Sequence, residues 1–488
     1  MRKLIFFYLS IALFVSLGCT PTSRNNGHIY ILSTNDIHAT IDAFPRLATI
    51  VDEYAELGEV LLVDSGDRVS GNAYVDDAAE PGVPLIELMN NMGYDVVTLG
   101  NHEFDKGADT LRMMLDAAHF DVVCANVRGK SGAPQPIPYT IINVRGVDIG
   151  FAGVVDTDNG GLPLGSRHIY ADFEFRSDID AAYEVCDSLS AKSDFVVLLS
   201  HMGLRSDRQL AERGVACNWI AGGHSHDVAN EDVCGVRITQ NNKNIRYVTV
   251  ADLEVVDGAI VEVTYTQISM GDVAANEAVV ERVEALKASD PELNRVEGRV
   301  TSLATKEGVV NFTISALAEY PYDDGFSPEV TFYHYGGVRL DSLRKGDVIR
   351  AEILNNDPFK STIYIGTLTT QQMRDFILAK YNSGTPENPD KESHYPYFRS
   401  DAHYRIVVGD GNEEYPDAED VIFDIPEGEY RVAMCNYIAD NYIDPSIVGR
   451  QLQPTGISVR SAMFRYLRSF GDEGYTPSNE CRQQVVKR

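Results

Sequence analysis

Positive charge is what this chain has least of: 42 Lys and Arg stand against 72 Asp and Glu, a formal net charge of −30 over 488 residues. Such a surface repels polyanions, so nucleic acid polymers and anionic membrane surfaces are poor partners. A small anionic substrate stays open if metals and local arginines reverse the field at one site. Long apolar runs are nearly absent. Leu4 to Leu17 is the one candidate, and it is too short to span a bilayer comfortably. No Cys-x-x-Cys pair occurs, which leaves a structural zinc or thioredoxin-type site without support. No internal repeat is visible. The remaining composition, 44% hydrophobic and 23% charged, is that of a soluble globular protein. The length exceeds one ordinary core, so two domains are expected.

The apolar run is framed as a targeting segment. Arg2 and Lys3 precede it and Gly18-Cys19 follows. A cysteine directly after Gly18 resembles the lipobox of bacterial lipoproteins, in which that cysteine carries the lipid, although Ser16 stands where leucine is usual. A plain signal peptide or an uncleaved anchor are the alternatives. The expectation is a lipoprotein signal peptide over 1–19 and a tether over 20–27. That puts a lipid-anchored protein in the bacterial cell envelope, facing the periplasm or the cell surface, with the membrane touched through the anchor only. Six further cysteines remain. Cys217 and Cys234 bracket a Gly-His-Ser-His patch and are placed to staple it, and buried free thiols are the competing reading.

From His28 onward short apolar stretches alternate with helical periodicity. Strands are predicted at 29–32, 60–63, 96–99, 122–123, 195–199 and 219–221, with a hairpin over 139–155 and further strands over 247–265. Helices are predicted over 45–57, 85–92, 111–118 and 179–191. This alternation argues for an α/β domain with covered sheets. A polar helical stretch over 276–286 reads as a connector. Beyond it a second domain is predicted, with helices over 312–319 and 370–381 and strands over 361–368, 404–408 and 430–434. Residues 382–393 and 409–420 read as polar loops.

Five short polar patches end the predicted strands of the first half: Asn35-Asp36-Ile37-His38, Gly66-Asp67, Gly100-Asn101-His102-Glu103-Phe104-Asp105, Ser200-His201 and Gly222-Gly223-His224-Ser225-His226. Carboxyl ends of strands in an α/β sheet are where ligands bind. Asp, Asn and His suit divalent zinc, manganese, iron or cobalt, and a pair of such ions is a device for splitting phosphate esters. Asp36 and His38, at i and i+2, point the same way and can grip one ion. Asp67 is the natural bridge. Asn101, His201 and His224 can complete a second ion, while His226 turns toward the first. Each patch alone is weak evidence, being more often a turn or a structural histidine. Five in a row, each after a strand, leave little room for that reading.

These residues resemble the signature of calcineurin-like metallophosphoesterases. The two-domain layout is similar to that of the bacterial periplasmic 5′-nucleotidase/UDP-sugar hydrolase family, strongly over 28 to about 270 and weakly after 300. The resemblance implies a four-layer α/β/β/α sandwich over 28–272, a linker helix over 273–298 and a smaller α+β substrate-binding domain over 299–488. It implies two divalent metal ions: Asp36, His38, Asp67 and His226 on one, and Asp67, Asn101, His201 and His224 on the other. His102 and Asp105 match the family's catalytic dyad, with a helix cap before Leu111 as the structural alternative for Asp105.

The second domain departs from the family pattern. Asn-x-Gly-Gly-Ile-Arg appears as His334-Tyr335-Gly336-Gly337-Val338-Arg339, which keeps the arginine. Arg339 is the expected phosphate or hydroxyl clamp, and a surface ion pair the alternative. The family's two base-stacking rings are assigned by resemblance to Phe398 and Tyr437, against the reading that both are core aromatics. The usual Gly-Gly-Asp-Gly run is missing, and Asp444 is the nearest candidate for the ribose-binding aspartate. The expected substrate is therefore a small phosphoester, an extracytoplasmic nucleoside 5′-monophosphate or related nucleotide. The rivals are a non-nucleotide phosphoester or sulfur ester, and a silent binding lipoprotein.

Overall fold

The computed structural model describes residues 25–158, 160–165, 167–382, 395–409 and 416–488. The signal segment 1–19 with Cys19, the tether up to residue 24, and most of the two predicted polar loops lie outside the described residues. Among the described residues no helix is long and apolar enough to cross a membrane.

The first half is built on two six-stranded sheets. One runs in the order Ala259–Ser269, Tyr247–Val256, Gly27–Thr34, Glu59–Asp64, Tyr94–Thr98, Asp121–Val123. The other runs Val228–Val233, Val236–Asn241, Trp219–Gly222, Phe195–His201, Val147–Val155, Tyr139–Val144. In the first sheet the four strands from Gly27–Thr34 to Asp121–Val123 are parallel and the other two antiparallel; in the second the four inner strands are parallel and both edge strands antiparallel. Side-chain alternation explains the stacking. Ile29 and Ile31 face the gap between the sheets together with Val197 and Leu199. Tyr30 and Leu32 point the other way, toward the helices Phe44–Ala55, Val83–Met92 and Gly107–Ala117. Val196 and Leu198 likewise face the helices Asp178–Ser190 and Leu204–Glu212. Strands buried on both faces read as unbroken apolar runs, and four layers α/β/β/α follow.

The hairpin over 139–155 closes through Arg145 and Gly146, whose φ values of 52° and 83° suit the two-residue turn of a twisted hairpin. Helix starts were harder to read. The helix predicted from 111 begins at Gly107, and the one predicted from 312 begins at Lys306. The latter is buried on nearly every side, so it carries no amphipathic stripe to mark its first turns.

After the first sheet comes the helix Glu277–Ala288, capped by Asn276. The second half then forms an α+β unit. Its main sheet runs Phe398–Ser400, Val330–His334, Glu429–Cys435, Thr362–Thr369, Leu452–Ser458, packed with the helices Lys306–Ala318, Thr370–Tyr381 and Val459–Ser469. The predicted loop reaching residue 420 is corrected, because Ala418–Phe423 is a strand paired to Tyr404–Val408. The six cysteines among the described residues are free thiols. Cys217 is hydrogen-bonded to Cys186, so no staple to Cys234 forms.

One contact between the two halves joins segment 73–77 to residues 355–360 and 460, and a second pairs Arg246 with Asp341 at 3.2 Å. The Ala73 N–H donates to Asn355 Oδ1 at 2.6 Å. Asp77 pairs with Arg460 and Lys360, each at 3.1 Å.

Candidate metal centre

All five patches emerge at carboxyl ends of strands and converge in one crevice between the sheets. Asp36 and His38 follow Gly27–Thr34, Asp67 follows Glu59–Asp64 and Asn101 follows Tyr94–Thr98. His201 ends Phe195–His201, and His224 and His226 follow Trp219–Gly222. The backbone must bend sharply there. Asp36, His38, Asp67, His224 and His226 sit at φ 49°, 45°, 53°, 76° and 55°. Left-handed backbone at non-glycine residues costs about 1 kcal/mol or more each and persists where the surroundings enforce it. A Cβ on Gly66 would come within 2.6 Å of Gly100 N, so only glycine lets these two turns meet.

The donor atoms face one another. His38 Nε2 lies 3.1 Å from His226 Nε2, and Asp36 Oδ1 lies 3.3 Å from the latter. His201 Nε2 is 3.1 Å from Asp67 Oδ2, and His224 Nδ1 is 3.0 Å from Asn101 Oδ1. Asp36, His38 and His226 thus offer ligand atoms to one point, and Asp67, His201 and His224 to another. His201 Nδ1 donates to Ser65 O at 2.7 Å, which turns the lone pair of Nε2 inward. His38 Nδ1 is buried and has no hydrogen-bond partner among the described residues. Burial disfavours charge on His201, but the Asp67 carboxylate beside its Nε2, with Asp36, raises its pKa to about 10, so in the absence of an ion a proton occupies the place between them. Burial, then the charge of Arg339, holds His38 well below its usual pKa, and burial with His201 pushes His224 down to about 4. Both therefore present neutral imidazoles, the ligating form. Burial opposes the charge on Asp36, yet His226 keeps this carboxyl at about 2. Left-handed backbone at five of these residues, the neutral His38 and His224 imidazoles and the carboxylates of Asp36 and Asp67 between the rings fit divalent cations.

His102 lies beside this centre. Its N–H donates to Asp67 Oδ1 at 2.8 Å, and its Nδ1 meets Asp105 Oδ2 at 2.8 Å. Burial disfavours its charge, but Asp105 and Asp67 more than offset that and raise its pKa to about 9. The helix-cap alternative for Asp105 does not hold, since the helix Gly107–Ala117 has Lys106 at its N-cap and no side-chain cap.

Glu103 was quoted in its motif but given no task. It is buried, and its carboxylate accepts the N–H groups of Asp67, Arg68 and Gly100 at 3.0, 2.9 and 2.6 Å. One side chain thus ties two ligand-bearing turns together. The signal was an acidic residue amid glycine turns rich in unpaired N–H groups. Glu103→Ala strands three buried donors and is expected to cost about 3 kcal/mol, a fall in Tm on the order of 8 °C. An unchanged Tm in calorimetry would show that the turns hold without it.

The second domain brings part of its nominated set to the centre. Arg339 is close enough to lower the pKa of His38 and His102, and its guanidinium lies 5.1 Å from the Phe359 ring. Among the described residues it forms no ion pair, so the surface-pair alternative fails. Phe398 is corrected. It is 1% exposed and packs on Phe376 and Tyr442 at 5.5 and 5.2 Å, which leaves no face for a ligand. The ring that faces the centre is Phe359, 42% exposed and 6.2 Å from His102. It lies in the polar turn Asp357-Pro358-Phe359-Lys360, where an apolar side chain was the available signal. Tyr437 is half-buried and stacks on His334 at 4.2 Å. Asp444 is exposed and accepts the Ser446 N–H at 2.8 Å, closing a turn.

Comparison with known proteins agrees with this architecture. Residues 29–228 match the calcineurin-like phosphoesterase family. Endonuclease YhcR of Bacillus subtilis (strain 168) is 26% identical over 94% of this chain, but the chain spans only 41% of that protein. Protein UshA of Escherichia coli (strain K12) is 25% identical, covering 84% of this chain and 85% of its own length. A solved 5′-nucleotidase precursor from Thermus thermophilus superposes with a TM-score of 0.76 at 20% identity, covering 94% of this chain and 99% of that one. The chain therefore carries a calcineurin-like phosphoesterase domain over residues 29–228 and is homologous to UshA and the 5′-nucleotidases.

Proposed function

We propose that this protein is a metal-dependent phosphohydrolase that releases phosphate from nucleoside 5′-monophosphates or closely related nucleotides outside the cytoplasm, tethered through Cys19. Residues 28–272 are the catalytic unit and 299–488 the substrate-binding unit. The observation that carries the reading is the convergence of Asp36, His38, Asp67, His201, His224 and His226 from four strand ends, five of them on left-handed backbone, with Asn101 arriving from a fifth. Asp36, His38, Asp67 and His226 would hold one divalent cation, and Asp67, Asn101, His201 and His224 a second. When bound, such cations make water nucleophilic at neutral pH and offset charge on the phosphoryl oxygens.

The chain's own residues supply the rest. His102 keeps a proton in a buried pocket and delivers it to the leaving oxygen. Asp105 fixes the ring through Nδ1, which leaves Nε2 for the substrate side. Arg339 faces the same space and clamps phosphate oxygens. Phe359 offers a half-exposed ring to the organic part of the ester, and a ring face suits any base.

Purified protein with zinc, manganese, iron or cobalt restored should release phosphate from AMP faster than from a non-nucleotide ester such as glycerol phosphate. Equal rates would remove the nucleotide from the proposal. The pH dependence has a defined sign. The acid form of His102 is present below its raised pKa and is lost as pH rises, so activity falls on the alkaline side. Asp105→Asn removes the carboxylate that raises that pKa, so its alkaline limb should move to lower pH. A limb that stays in place in a pH–rate profile would dissociate Asp105 from the acid.

A further inference from the structure

Ser70 Oγ lies 2.6 Å from Asp105 Oδ2, the oxygen that also meets His102 Nδ1 at 2.8 Å. We infer that Ser70 is a positioning residue for His102, set in place by docking of the second domain onto segment 70–77. This inference rests on the phosphohydrolase reading above and deepens it.

A carboxylate held by one hydrogen bond can pivot about its own side-chain bonds. A second donor on the same oxygen stops the pivot and aims that oxygen at the imidazole. The Ser70 hydroxyl is placed to be that donor. It is held there at a cost, because Ser70 has φ 67°, a left-handed value that serine does not favour. The force that holds it is visible. The buried carboxylate of Asp76 accepts the N–H groups of Ser70, Gly71 and Asn72 at 3.0, 2.7 and 2.9 Å. Asn72 then caps the short helix Ala73–Asp76 through Tyr74 N at 3.1 Å.

The far end of the same segment belongs to the domain interface. Ala73 N–H reaches Asn355, and Asp77 pairs with Arg460 and Lys360. Arg460 is nearly buried, and its other arms are fixed on Asp357 O at 2.7 Å and Leu354 O at 3.2 Å. That stretch of the second domain also carries Phe359, the ring beside His102. Two supports of His102, one through Asp105 and one from the opposite wall, therefore meet at this interdomain contact: Ser70 begins the segment that is docked on, and Phe359 lies in the stretch that docks. When the second domain sits on 70–77, the acid is aligned. When it lifts, Phe359 is withdrawn from His102 and the segment that carries Ser70 loses its outer anchors at Ala73 and Asp77.

The test is steady-state kinetics on the full-length, metal-loaded protein with AMP, comparing wild type, Ser70→Gly, Ser70→Asn, Asp77→Asn and the double variant Ser70→Gly/Asp77→Asn. Glycine suits the left-handed backbone, so Ser70→Gly removes the hydroxyl without adding strain. It is expected to lower kcat about tenfold while KM, metal content and Tm stay within about twofold or a few degrees. Asparagine also tolerates the conformation and keeps a donor, so Ser70→Asn should regain part of the loss. Asp77→Asn should lower kcat alone yet add little in the Ser70→Gly background, since both act through one path. An active wild type with an unaltered kcat in Ser70→Gly overturns the inference, as do losses that simply multiply in the double variant. A wild type that releases no phosphate from any ester overturns the phosphohydrolase reading itself and the inference with it.

Discussion

Asp67→Ala is expected to strip the protein of its metals and bring phosphate release close to background, a loss of at least about three decades. Its carboxylate lies between the two groups of facing side chains. Oδ2 stands 3.1 Å from His201 Nε2, and Oδ1 takes the His102 N–H at 2.8 Å. Its backbone is held at φ 53° and its N–H is clamped by Glu103. Removal leaves His201 and His224 facing His38 and Asp36 across a gap with no shared carboxylate. Elemental analysis after dialysis is the direct measurement, alongside phosphate release from AMP. A variant that keeps full metal content and turnover would mean that the converging side chains serve only to build the crevice.

His102→Ala is the second large effect, roughly two to four decades in kcat with metals retained. The distinction from Asp67 lies in what survives. His102 is joined to the centre through a backbone N–H, which alanine keeps, so the ligand set should stand. The loss should also depend on the ester. A nitrophenyl leaving group needs little protonation, so the variant should recover much of its rate on that ester and little on AMP. An equal loss on both would mean that His102 stabilises the phosphoryl group rather than the departing oxygen. Full activity on AMP would remove it from the chemistry.

The legible parts of this protein are those where local pattern and tertiary role coincide. Val60 to Val63 and Phe195 to Leu199 are apolar runs buried on both faces, and the polar residues that end them have to emerge at the crevice. The metal-centre side chains were readable for that reason. The second domain failed where orientation depends on pairing. Tyr395-Pro396-Tyr397-Phe398 offers three rings, and nothing local says which points inward. Phe398 pairs with His334 across two strands, and that register sends it into the core. Phe359 was missed because its place is fixed by Asp77, far earlier in the chain, through Lys360 and Arg460. Ser70 was missed for a related reason: its partner Asp105 lies 35 residues away, and a lone serine in a turn carries no pattern.

The segment running from Ser70 to Asp77 touches Asp105, the partner of His102, at one end and the neighbouring domain at the other. The two halves are consequently not interchangeable cassettes. A chimera that borrows a relative's second half to change its taste for substrates would keep all seven candidate ligands, from Asp36 to His226. On the proposed reading, unless residues 73–77, 354–360 and 460 travel as a matched set, His102 would be misaimed while those ligands stay in place.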